Sequence, residues 1–96
     1  MSAAKKIVLI AHRAYQDSDE SFLRGLYQRK IELFCAFGQH AQGWENAMDL
    51  VCIDPANSFD HHVTTTAHTD EPLEDVMNMA ELWSVKGGNE VEIVEL

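Results

Sequence analysis

Basic residues are scarce here relative to acids: seven lysines and arginines face sixteen aspartates and glutamates, a formal net charge of −9. Affinity for nucleic acid comes largely from neutralising phosphates with Lys and Arg, and anionic membrane surfaces attract the same clusters. The basic residues occur only as the pairs Lys5-Lys6 and Arg29-Lys30 and three singles. Nucleic acid and membrane are therefore not expected partners, and a neutral or basic protein fits the charge better. Cysteine is scarce too. Cys35 and Cys52 lie in apolar runs, form no CxxC, and read as buried thiols in a reducing cytosol. Long apolar runs are missing: KIVLIAH (Lys6–His12) loses its apolar character after about six residues, too short for a signal-peptide core or a membrane span. Cytoplasmic localisation is the expectation.

Glycine is absent from Arg13–Ser21, which follows the first apolar run, and neither GxGxxG nor a P-loop occurs. The expected helix starts carry Asp19/Glu20 and Asp70/Glu71/Glu74, which would repel a phosphate from the positive end of a helix dipole. Nucleotide binding is disfavoured, and no cofactor is expected.

At 96 residues, with 46% hydrophobic and 24% charged, the composition is that of one α/β-sized globular domain. The aliphatic run Lys6–His12 predicts a central strand covered on both faces. A cap signal at Ser18 or Asp19 precedes Phe22, Leu23, Leu26 and Tyr27 at helical spacing. Ile31–Phe37 predicts a second strand, stopped by Gly38. Trp44, Ala47, Met48 and Val51 recur at helical spacing and predict a helix over Gln42–Ile53, with Leu50–Asp54 as a strand the competing assignment. Pro55–Asp60 reads as a loop. The threonine-rich segment from His62 to His68 predicts the third strand. Asp70-Glu71-Pro72 reads as a capping carboxylate followed by a first-turn proline. Leu73, Val76, Met77, Ala80 and Trp83 then form one buried face of a helix over Glu71–Ser84. Lys86–Asn89 reads as a turn, and EVEIVEL (Glu90–Leu96) as an edge strand guarded by glutamates. The order is βαβαβαβ, a single domain with a mostly parallel three-layer sheet of flavodoxin-like or Rossmann-like type.

In such sheets ligands sit beyond the carboxyl ends of the strands. His12 and Arg13, Gly38-Gln39-His40, and His68-Thr69-Asp70-Glu71 land there. His12, His40, His68, Asp70 and Glu71 are thus the candidate ligand site, although polar strand ends and helix caps account for the same residues. A metal would need His12, His40 and His68 to meet. Local ligand spacing such as HExxH is absent, and adjacent His61-His62 point to opposite faces of a strand; no metal is expected. Cys35 between Phe34 and Phe37 reads as inert packing. Met79, Leu82 and Val85 fall off the main buried face of the third helix and form a candidate apolar patch for a partner or a second copy.

The segments AFGQHAQGWENAMD, TTTAHTDEPLEDV and EVEIVEL together resemble a family of small bacterial proteins with no assigned activity. The resemblance implies a compact α/β domain and singles out Gly38, Trp44, Thr65, His68, Asp70, Glu71, Pro72 and Glu74. Two functions follow as expectations. The first is a non-enzymatic binding or protein-interaction module, a homodimer because so small a core benefits from association. The alternative is a small hydrolase or metal-assisted enzyme with a site at the strand carboxyl ends around His68 and Asp70. A catalytic role is left open.

Overall fold

A computed structural model describes residues 4–54, 62–83, 85 and 90–96. Strand β1 (Lys6–Ile10), helix α1 (Glu20–Gln28), β2 (Leu33–Phe37), α2 (Ala41–Cys52), β3 (Thr64–His68), α3 (Leu73–Leu82) and β4 (Val91–Glu95) follow in that order. The four strands form one parallel sheet in the order β3-β2-β1-β4. This is the expected α/β fold of flavodoxin-like type, with β1 interior. The expectations for Pro55–Asp60 and for the turn at Lys86–Asn89 lie outside the described residues.

The strand order dictates the layers. β1 to β2 to β3 steps twice in one direction, so right-handed crossovers put α1 and α2 on the same face. The step from β3 back past β1 to β4 runs the other way, so α3 lies on the opposite face. The side chains sort accordingly. Ile7, Leu9, Phe34 and Ala36 pack with Leu23, Leu26 and Tyr27 of α1 and Trp44, Met48 and Val51 of α2. Val8, Leu33 and Cys35, the alternate residues of the same strands, pack with Val76 and Ala80 of α3.

Helix α2 decides the ambiguous segment. Ala41, Trp44, Ala47, Met48 and Val51 are all buried, and that periodicity extends through Cys52, so Leu50–Asp54 is not a strand. Trp44 is fully buried. Its indole N–H donates to the Arg13 carbonyl at 2.9 Å, and Tyr15 meets its ring edge-on with centroids 5.3 Å apart.

The expected helix caps are placed differently. Asp70 does not cap α3: Pro72 is the N-cap, with extended backbone (φ −63°, ψ 144°) and no side-chain cap hydrogen bond. The Pro72 carbonyl instead accepts from the amides of Asp75 and Val76. Proline's fixed φ suits either position, and its extended ψ pushes the helix start two residues along, out of reach of Asp70. Asp19 stands at the N-cap of α1 without a cap bond. A short 3-10 turn, Asp17–Asp19, precedes the helix and draws the Asp19 carboxylate to the Gln16 amide and to Arg13. Ser18 is exposed within that turn.

Candidate functional site

His68 is the last residue of β3, where the strand turns toward α3. Its register partner is Phe37, and Thr66 two residues earlier pairs with Cys35. All four side chains therefore belong to the α3 face of the sheet. The His68 ring is buried, with 6% of the residue exposed. Its Nδ1 lies 2.7 Å from Glu71 Oε1 and its Nε2 lies 2.8 Å from Thr66 Oγ1. A carboxylate can only accept, so Nδ1–H donates to Glu71 and Nε2 is left to accept the Thr66 hydroxyl proton. Thr66 stands beside the Cys35 thiol across the β2–β3 pairing. Burial pushes the Cys35 thiol above its ordinary pKa, and the contact with Thr66 opposes that only in part. The result is a chain of protic groups from Thr66 through His68 to the half-exposed carboxylate of Glu71.

Hydroxyl, imidazole and carboxylate in that order are the arrangement used for nucleophilic acyl transfer. They are equally what a histidine needs to be buried at low cost, since both ring nitrogens are satisfied. Thr66 was missed in the sequence reading. The signal that could have found it is the i, i+2 spacing to His68, which places both side chains on one face of a strand.

The other candidates lie elsewhere. His12 follows β1 and is exposed, its Nε2 2.9 Å from Glu95 Oε2 of β4. This pair marks the topological switch point, because β2 and β3 lie to one side of β1 and β4 to the other. Beside it is a shallow depression of about 320 Å³ lined by Ile10, Ala11, His12, Phe37, Gly38 and Gln39. Gly38 is held at φ +116°, and a Cβ there would come within 2.7 Å of the Ala11 carbonyl oxygen, so only glycine lets the two loops approach. His40 precedes α2, its Nε2 3.2 Å from the Gln39 side-chain amide. Asp70 is exposed.

Three histidines thus have three separate partners. β1 and β3 are two strand spacings apart, about 10 Å, and His12 leans toward β4 on the far side of β1. Only His68 and Glu71 of the five candidates are brought together. Among the described residues, no group of three or more His, Cys, Asp or Glu side chains is arranged to hold a metal ion.

Arg13 is committed to the fold. Its guanidinium makes a two-pronged bond to Asp19 at 2.7 and 2.9 Å and lies 5.5 Å from the centre of the Trp44 ring. That bond holds the Asp19 carboxyl down at about 2.

The model of a domain of unknown function, DUF7684, matches residues 1–94. The chain belongs to this family. No curated protein and no solved structure matches it. Family membership carries no activity with it, so the functional argument rests on the residues themselves. No helix among the described residues is long and apolar enough to cross a membrane.

Proposed function

We propose that this domain is a non-enzymatic binding module that presents a protein-docking surface on the α3 side of its sheet. One observation carries the reading: a four-stranded sheet has only α3 on that face among the described residues. A helix about 10 Å across covers two strands spaced about 4.8 Å apart, and α3 packs chiefly on β1 and β2. Among the described residues no helix covers the β4 flank, and Ile93 in it is 51% exposed although it is an aliphatic residue in a strand. Ile10 and Val91 share that sheet face and are half-buried. The burial of His68, the best-placed chemical group, favours the same reading, because both its nitrogens are taken by its own chain.

A photo-crosslinking residue placed at position 93, and separately at exposed Asn46 on α2, tests this in cells of the source organism. Position 93 should give discrete heavier conjugates and position 46 should not. The same yield and pattern from both positions would overturn the reading.

The second reading, a small hydrolase, is favoured by the Thr66–His68–Glu71 chain, with Thr66 Oγ1 as nucleophile and His68 as base. It requires p-nitrophenyl acetate turnover with an acetyl group on Thr66 in the mass spectrum. Both should vanish in Thr66→Val and in His68→Gln while the fold is retained. The binding-module reading expects neither adduct nor variant-sensitive turnover.

A further inference from the structure

We infer that the occupant of the open flank is a basic amphipathic helix of another protein, seated over β4 alongside α3. The inference rests on the binding-module reading and adds the chemistry of the partner. The floor is apolar: Ile10, Val91 and Ile93 face the same side of the sheet in neighbouring register. The surroundings are acidic. Glu74 and Glu81, two turns apart on one side of α3, and Glu95, which shares the face of Val91 and Ile93, are all exposed. Neither α3 nor β4 contains a lysine or arginine. Among the described residues, only Glu95 of these three has a cationic partner, and that partner is His12.

The opposite layer provides the contrast. There Arg13 pairs with Asp19, Arg24 with Glu20 and Asp54, and Arg29 with Glu92. Lys6, on the α3 face, offers no surface charge because it is fully buried, its ammonium donating to the Glu81 carbonyl at 3.1 Å. Among the described residues, the flank is therefore an apolar strip bordered by carboxylates that no lysine or arginine neutralises. A second copy is a poor fit, since two such surfaces would bring like charges together without a compensating lysine or arginine among the described residues. An apolar stripe at i, i+3, i+4 and i+7 with lysines on either side meets both demands, as in helix-in-groove recognition. The single strand left beside α3, about 4.8 Å wide, would form the floor of a helix that overhangs the edge of the sheet.

The test uses the full chain, isotopically labelled for NMR, and two synthetic helical peptides with the same leucine stripe. One carries flanking lysines and the other flanking glutamates. The lysine peptide should shift the amide signals of Ile10, Val91 and Ile93 and weaken by several-fold when salt is raised from about 50 to 300 mM. Ile93→Lys should weaken it at least about tenfold, and Glu74→Gln with Glu81→Gln by several-fold. Because Ile93 is exposed, Ile93→Lys should fold, and a milder Ile93→Ser with unchanged circular dichroism guards against a folding artefact. Equal binding of both peptides at the flank would overturn the basic partner and leave the binding module standing. Self-association of the free chain through position 93 would put a second copy there and overturn the inference in the same limited way. Lysine-peptide binding that is indifferent to both substitutions at Ile93 would overturn the inference and the docking surface together.

Discussion

The two faces of the sheet use the same strands and reach different ends. The α1/α2 face has two helices over three strands, a fully buried Trp44 at its centre, and arginines paired with carboxylates around its edge. The α3 face has one helix, a smaller cluster around Val76 and Ala80, a buried lysine, and carboxylates unmatched by lysine or arginine on α3 or β4. Crossover handedness explains the asymmetry: two forward steps place two helices on one side, and one backward step places a single helix on the other. More of the buried core lies where two helices close it. The face with one helix carries the proposed docking surface.

Unequal core substitutions give the largest expected effect. Trp44→Ala removes a fully buried indole and orphans the Arg13 carbonyl, and should cost about 4 kcal/mol. Val76→Ala on the other face should cost about 2 kcal/mol. Urea unfolding of both variants checks this, and equal losses would remove the energetic difference between the faces.

His68→Ala comes next. It leaves the Thr66 hydroxyl without its acceptor and opens a small cavity, so a loss of about 2 kcal/mol is expected. A variant as stable as the parent would break the structural account of the Thr66–His68–Glu71 chain and shift weight to the hydrolase.

The Asp19–Arg13 bond gives a pH-dependent test of the α1/α2 edge. Asp19 is held at about 2, below its unfolded value near 4. Its stabilising contribution is therefore present above pH ~4 and is lost as pH falls toward 2. Asp19→Asn should lower the melting temperature at pH 7 and flatten the acid limb of the stability curve between pH ~4 and 2. An unchanged acid limb would contradict it.

Asp70→Ala should do least, within about 0.5 kcal/mol, because Asp70 is exposed and caps nothing. A loss near 1 kcal/mol, recovered by Asp70→Ser, would restore the capping role expected from the sequence.

The contrast between Asp70 and His68 shows how far the sequence could be read. Both stand in one motif at the β3–α3 junction, and both were legible as residues at a strand's carboxyl end. The order Asp-Glu-Pro carries a cap signal in composition alone, but which residue caps depends on the ψ angle of Pro72, a tertiary outcome. Partnership with Glu71 was within reach as a local contact three residues along. The contact of Thr66 with His68 was likewise within reach, two residues along one strand face, whereas its neighbour Cys35 is set by a strand register that periodicity cannot supply. His12 was placed correctly at the end of β1, yet its partner Glu95 is 83 residues away in sequence.

Local physics is enough to write the element order from the sequence. Apolar runs of strand length, helical spacing of Leu23, Leu26 and Tyr27 or of Trp44, Ala47, Met48 and Val51, and the alternation of strand and helix need only neighbouring residues. The net charge of −9, which argues against nucleic acid, is likewise a property of composition. The placement of β4 beside β1 is different. It turns EVEIVEL from an alternating strand into the open border of the α3 face, leaves Ile93 half-exposed, and sends Lys6 into the interior beneath α3. Those outcomes come from long-range strand pairing and from the number of helices that the crossover rule assigns to each face. A stretch of sequence read alone carries no information about what will lie across from it.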